Sequence, residues 1–336
     1  MLLNGSDPSA IDRAARALAD GELVALPTET VYGLGARADR DAAVAKIFAA
    51  KGRPTDHPLI VHVLDIADAE AFTSALPPVA RRLMEAFWPG PLTVIVPRAP
   101  GMAAAAAGAQ ASVGLRCPAH PVARALLARA HELGVRGVAA PSANRFGKVS
   151  PTRAEHVQSE FGDELLVLDG GACDVGIESS IVDCSREHPV LLRPGILTPA
   201  QIEAAAGEPL REKDAAAPRA SGTLAAHYAP SAVVRLLDRA ALQAALNRQQ
   251  QWPPALAVYS RSLPVMAGPT IWRTMPQDAA AAAFELFAVL RELDAAGACE
   301  IWIETPPGDD SAWDGVRDRL SRAAAAFAGP ADGEPQ

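Results

Sequence analysis

Leu26-Pro27-Thr28-Glu29-Thr30-Val31-Tyr32-Gly33-Leu34-Gly35 places two threonines, a glutamate and a tyrosine directly after an apolar run that begins at Glu22. The reading is a strand over 22–26 that ends in a rigid polar loop. Pro27 and the glycines restrict or permit special backbone angles, and the hydroxyls supply neutral hydrogen bonds. The same device recurs along the chain. Lys51-Gly52-Arg53-Pro54 follows a short helix over 41–50 that buries Val44, Ile47 and Phe48, and the strand pattern resumes over 59–63, ending near His62. Pro141-Ser142-Ala143-Asn144 follows the apolar segment 137–140. Strands that end in polar turns and alternate with helices define an α/β domain with its chemistry at the strand ends.

Working outward, Asp7-Pro8 starts a helix with Ile11, Ala14, Ala15 and Leu18 on one face and Gly21 just past its end. Further strands are expected over 92–96, 112–116, 165–168, 180–184 and 190–193, and helices over 121–133 and 152–161. Together they make a substantial mixed sheet in a catalytic domain over 1–206. Residues 207–231 lose this periodicity and carry Ser221-Gly222-Thr223-Leu224-Ala225-Ala226-His227-Tyr228-Ala229-Pro230. They read as a linker and possible lid. Beyond it, strands over 233–237, 256–259, 271–274 and 300–304, with helices over 239–249, 279–296 and 315–327, form a smaller Rossmann-like α/β domain over 232–329. It has no GxGxxG, so no dinucleotide is expected there. Residues 330–336 read as a frayed tail.

The chain has 336 residues, enough for two domains with their own cores. Hydrophobic residues make up 49% and charged residues 21%, an ordinary globular balance, and the net charge of −8 gives no global attraction to nucleic acid. Cys117, Cys173, Cys184 and Cys299 form no CxxC pair, so they are expected to be reduced and mostly buried. The N-terminus lacks a basic then apolar leader, and the alanine runs are too short and too weakly hydrophobic to span a bilayer. The expectation is a cytoplasmic protein without a membrane contact.

In order along the chain stand PTETVYGLG, KGRP, PLIVH, SVGLR, APSAN, ESSIVD and LLRPG. Together they resemble the YrdC-like family of threonylcarbamoyl-AMP synthases, in its long two-domain form. The resemblance implies a YrdC-like twisted mixed sheet with a concave cleft. It also implies an activity: L-threonine, bicarbonate or CO2, and ATP give threonylcarbamoyl-AMP and pyrophosphate. The product feeds the threonylcarbamoyladenosine modification of tRNAs that read ANN codons. The implied partners are the transferase machinery acting on tRNA, with at most weak contact to tRNA itself.

Lys51 and Arg53, two positions apart, can converge on a triphosphate, Arg53 as a planar fork and Lys51 as a mobile charge. Read alone, they could equally be solvated cations completing a helix C-terminus. Ser142 and Asn144 either cap a turn or offer hydroxyl, amide and free backbone N–H groups to a nucleotide. Ser150 is either a further ATP contact or part of a helix N-cap. With Lys51 and Arg53, Ser142 and Asn144 complete the family's KxR…SxN signature, which makes Lys51 and Arg53 the catalytic candidates. The resemblance adds Ser112, Arg193, His57, His227 and Tyr228 as ATP contacts. His57 stands where the family pattern has asparagine, and the His-Tyr pair reads either as a lid or as a strap in which Tyr228 packs.

Arg116 ends an apolar strand and reads either as a surface arginine or, by geometry and charge, as the best carboxylate partner for threonine. The resemblance places Thr30, His62, Ala140 and Ser179 around the same amino acid. No nucleophile–base pair, HExxH or Walker A sequence is present. The substrate therefore supplies the nucleophile, and the protein aligns it and neutralises charge. No protein metal site is expected; Mg2+ is expected with the ATP phosphates, with Glu29 and Glu178 as candidates to hold one of its waters or to serve structurally. Two other classes compete. An RNA-binding module would need the basic surface and stacking aromatics that this composition lacks. A carbamoyl-transfer enzyme of the hydrogenase-maturation type would need CxxC segments and an acylphosphatase unit.

Overall fold

The computed structural model describes residues 1–248, 251–266 and 271–327, in two compact units. Gln249 of the expected helix and the tail over 330–336 lie outside the described residues. The first unit comprises Met1–Phe146 and Ser150–Thr223; the second comprises Gly147–Val149 and everything from Leu224. The division thus falls inside the stretch read as a linker, whose first part belongs to the sheet-bearing unit.

The first unit carries a ten-stranded sheet. Its strands are β1 (Leu2–Asn4), β2 (Val24–Leu26), β3 (Gly33–Arg37), β4 (Ile60–His62), β5 (Leu92–Pro97), β6 (Ser112–Arg116), β7 (Val138–Ala139), β8 (Leu166–Asp169), β9 (Ser180–Asp183) and β10 (Val190–Arg193). They lie in the order β1-β8-β2-β3-β7-β4-β6-β5-β9-β10. Parallel pairs (β1 with β8, β4 with β6, β5 with β9) interleave with antiparallel ones (β2 with β3, β4 with β7, β5 with β6), so the sheet is mixed as expected.

Helices α1 (Pro8–Asp20), α2 (Asp41–Lys51), α3 (Ile66–Glu70), α4 (Pro78–Phe87), α5 (Pro121–Glu132), α6 (Ala154–Phe161) and α7 (Pro199–Ala206) complete the unit. The local signals of α1 act as written in the sequence. Asp7 caps it by accepting the Ser9 N–H, Pro8 occupies the first turn, and Gly21 ends it at φ 86°. Its buried face, Ile11, Ala14, Ala15 and Leu18, packs with Leu126 and Leu127 of α5 in one apolar cluster. Each fully buried leucine there contributes about 1.5–3 kcal/mol.

β3 is the element that periodicity does not show, because Gly-Leu-Gly reads as a turn. It is a fully buried strand instead. A Cβ at Gly35 would lie 2.9 Å from Val138 Cγ1, so glycine is what lets β3 sit flush between β2 and β7.

The second unit holds a four-stranded, all-parallel sheet of β11 (Val233–Leu237), β12 (Leu256–Ser260), β13 (Ile271–Thr274) and β14 (Glu300–Glu304). Helices α8 (Arg239–Asn247), α9 (Ala279–Ala295) and α10 (Asp314–Ala325) accompany it. This is the smaller open α/β domain expected, with β14 slotted between β11 and β12. No helix among the described residues is long and apolar enough to cross a membrane. Cys117, Cys173 and Cys184 are buried and Cys299 is exposed, and all four are free.

Candidate functional site

α2 delivers the first cation. Lys51 is its last residue, and Gly52 ends the helix at φ 64°, which turns Arg53 back toward the sheet. Lys51 is 3% exposed; its Nζ donates to the Ser142 carbonyl at 2.6 Å and to the Asn144 carbonyl. Burial, reinforced by the Arg53 charge and only partly opposed by Glu160, holds this lysine well below its ordinary pKa. The amide groups of the turn are occupied as well. Ala143 N–H donates to Tyr32 O, Asn144 N–H to Ser142 O, Arg145 N–H to the Glu160 carboxylate and Phe146 N–H to Lys51 O. The N–H groups of residues 143–146 are thus taken up within the protein, and the Asn144 side-chain N–H donates to Arg145 O, which leaves Ser142 as the polar residue the turn has to offer. Lys51 is the post that holds the turn, where the sequence suggested a mobile charge.

Arg53 donates from Nη2 to Pro58 O at 2.9 Å and to Ser221 Oγ at 3.4 Å, and its guanidinium lies 5.8 Å from the Phe146 ring centre. His57 faces the same ring at 5.5 Å, its imidazole held below the usual value by burial and by Arg53. Arg193, at the end of β10, donates from Nε and Nη2 to Ser179 O at 3.1 and 2.9 Å, and from Nη1 to Ser221 O at 2.8 Å. Two buried guanidinium groups thus converge on one residue, Ser221.

A small, half-open pocket lies beside them. Its walls include Leu59, Ile60, Ile95, Ile181, Thr93, Ser112 and the segment Arg219–Ser221. Gly114 supplies a floor without a side chain. Gln110 pins that segment: its side chain accepts the Arg219 N–H and donates to Arg219 O. Ser112, expected at the nucleotide, lines this pocket. Ser150 is fully buried and donates to the Glu178 carboxylate.

The amino-acid candidates gather around the opening loop. Thr30 is buried beside Thr28, with 2.9 Å between their hydroxyl oxygens. His62 and Arg116 are register partners on β4 and β6. Arg116 is 4% exposed and donates from Nη2 to Glu29 Oε1 at 2.7 Å. The other Glu29 oxygen accepts the Ala119 N–H at 3.0 Å. Burial alone raises the Glu29 carboxyl pKa, but the Arg116 charge and these hydrogen bonds outweigh it and hold the group ionised below its usual range.

His62 is pushed down to about 3, by burial first and then by the Arg116 charge, so it is a neutral imidazole. Its Nδ1 is buried without a hydrogen-bond partner among the described residues. Ser179 Oγ pairs with Thr93 Oγ1 at 2.8 Å, and Ala140 is buried next to Gly33, where a Cβ would lie 3.1 Å from its own.

Among the described residues no group of three or more His, Cys, Asp or Glu side chains could hold a metal ion. Glu29, a candidate for a magnesium-bound water, is committed to Arg116 and Ala119. His227 and Tyr228 belong to the second unit, both buried. Tyr228 sits at φ 63°, edge-on to His227, with Phe287 at 5.4 Å and the Arg319 guanidinium 5.5 Å from its ring centre. In this structure Tyr228 packs against residues of its own unit. The sequence pointed to neither Thr93 nor Ser221. Thr93 is a hydroxyl inside an otherwise apolar strand, a signal that could have been followed; Ser221 lies in a segment without periodicity.

Comparison with known proteins agrees over both units. A family described as "Telomere recombination" matches residues 16–195, and "Threonylcarbamoyl-AMP synthase, C-terminal domain" matches 197–325. The chain is 44% identical over 242 residues to a threonylcarbamoyl-AMP synthase of Bacillus subtilis, covering 70% of this chain and 68% of the relative. It is 33% identical over 373 residues to one from Schizosaccharomyces pombe, covering 96% and 90%. Among solved structures, Pyrococcus abyssi Sua5 complexed with L-threonine matches with a TM-score of 0.83 and 35% identity over 95% of each chain.

Proposed function

The chain belongs to the Sua5/YciO/YrdC family of threonylcarbamoyl-AMP synthases, and from that premise we propose that it joins L-threonine, bicarbonate or CO2, and ATP into threonylcarbamoyl-AMP. The observation that carries this reading is the match over nearly the whole chain to a relative solved with L-threonine, in a fold that assembles the KxR…SxN residues in one unit. In reaction class this makes it a nucleotidyltransferase, working in the cytoplasm and supplying the transferase machinery that modifies tRNA. Magnesium enters with the substrate as MgATP; Ser150 already occupies the Glu178 carboxylate and Arg116 that of Glu29, which leaves the metal to the phosphates.

The chemistry asks for alignment more than for protein nucleophiles. The threonine amine adds to the carbon of CO2 and loses a proton, giving a carbamate. A carbamate oxygen then bonds to the α-phosphorus as the bond to the β-phosphate oxygen breaks, and pyrophosphate leaves with the electron pair. Arg53 and Arg193 are the forks for phosphate oxygens, at the place where both now hold Ser221. Ser142, Asn144 and Ser150 give neutral polar contacts, and Ser112 and His57 border the nucleotide. Lys51 works through the turn it holds, as a positioning residue. Thr30, His62, Ala140 and Ser179 surround the threonine, and Arg116 takes its carboxylate.

The test is pyrophosphate release by purified protein with ATP and magnesium, omitting threonine or bicarbonate in turn. Release that requires both supports the reading. Release independent of threonine, or none while ATP and threonine fail to bind, overturns it.

A further inference from the structure

Glu29 has no role in the proposed chemistry, yet it sits at the centre of the amino-acid end of the site. It lies between Thr28 and Thr30 in sequence, and its carboxylate is buried against Arg116 and the Ala119 N–H. A buried ion pair needs a reason, because desolvation of two charges offsets most of their attraction. The geometry here supplies one. Arg116 donates from Nη2 to a single carboxylate oxygen and from Nε to Gly90 O at 3.4 Å, and among the described residues its Nη1 has no acceptor. The bidentate fork is not used up on Glu29, as it would be in a pair whose purpose was to bury an arginine.

Glu29 is also tied on its other side. Its second oxygen holds the loop before α5, and its backbone carbonyl accepts the Val175 N–H at 2.7 Å. The carboxylate is thus held at both oxygens and the residue is anchored through its backbone, and the carboxylate fixes Arg116 in turn.

We propose that Glu29 is a positioning residue for threonine: it holds the Arg116 guanidinium in the orientation that leaves Nη1 for the substrate carboxylate, on the strand beside His62, whose Nδ1 has no hydrogen-bond partner among the described residues. The inference rests on the threonine reading of the site. The role demands an acceptor at both oxygens. Glutamine must present an N–H to either Arg116 or Ala119, donor facing donor, so it cannot do both. Aspartate keeps the charge but is one methylene short of spanning the two donors.

Threonine-dependent pyrophosphate release by wild-type protein is the control, and its absence would count against the function rather than against Glu29. With that control in place, Glu29→Gln is expected to raise the threonine KM about 10- to 100-fold, the worth of an oriented charge-assisted bond. At saturating threonine kcat should stay within about threefold, and the ATP KM within about twofold. Glu29→Asp, which leaves no uncompensated arginine, is expected to shift the threonine KM the same way by a smaller factor. It serves as the test should the glutamine variant not fold. A merely structural glutamate would lower melting temperature or kcat with the threonine KM unmoved. That outcome in either folded variant overturns the proposal.

Discussion

Replacing His62 by glutamine should remove a large part of the acid sensitivity of the first unit. His62 is 3% exposed, and its folded-state pKa lies near 3 against an ordinary 6.5. Between those values the unfolded chain binds a proton at this position and the folded chain does not, so stability rises with pH and is lost as pH falls from about 6.5 toward 3. At one proton and about 1.36 kcal/mol per pH unit, the full window of some 3.5 units corresponds to at most ~5 kcal/mol. Going from pH 7.5 to pH 5.0 covers roughly 1.5 units of it, or about 2 kcal/mol. A glutamine does not titrate and forfeits none of this. The assay is urea unfolding at the two pH values read by pulse proteolysis, with first-unit peptides quantified by mass spectrometry so that the second unit does not blur the transition. Wild type should lose about 2 kcal/mol more than His62→Gln across that interval. Parallel losses would show that the imidazole is hydrated or charged in the folded state, and the neutral-histidine account would fall.

Lys51→Met keeps the length but releases both carbonyls of the Ser142–Asn144 turn, and kcat/KM for ATP should fall at least about 100-fold; a value within a few-fold of wild type would detach the lysine from the site. Gly195→Ala would bring a Cβ to 2.5 Å from Ser180 N, so the first unit should lose about 1–3 kcal/mol and slacken the Arg193–Ser179 contact, read by urea unfolding and the ATP KM. Ser180→Ala goes the other way. Its hydroxyl is fully buried with no partner among the described residues, so calorimetry should find the variant as stable as wild type or more so.

The fold was legible wherever a strand or helix carried its own punctuation. Asp7, Pro8 and Gly21 frame α1 in sequence as they do in space, and the strand ending at Arg116 needed only its apolar alternation. β3 was hidden because its glycines, which in isolation mark a turn, are required by the close approach of β7. Candidate site residues could be named from the sequence, but the bonds among them could not. Nothing in Lys-Gly-Arg tells that the lysine ends on carbonyls 91 and 93 residues away, or that Glu29 reaches Arg116 across 87. Such partners are fixed by strand order, which no local pattern encodes. The division between the units falls inside the stretch read as a linker, but that 207–223 belongs to the first unit could not be read locally, since it is held by single contacts such as Gln110 with Arg219 and not by any periodic face.

Strand order also sets a timetable for synthesis. Leu2 pairs with Val167, Val24 with Leu166, and Leu92 with Ser180, so both flanks of the large sheet wait for residues made late. At ribosomal rates of about 5–20 residues per second, β10 leaves the synthesis site roughly 10 to 40 s after the chain starts. Until β8 and β9 are made, β2 and β5 are apolar edges without their parallel neighbours, the kind of surface that pairs with other chains. Non-local pairing of this extent also slows folding once the chain is complete. The nascent first unit is therefore the stage at which this protein is most exposed to aggregation, and chaperone supply or slower growth should raise its soluble yield more than any change to the finished surface.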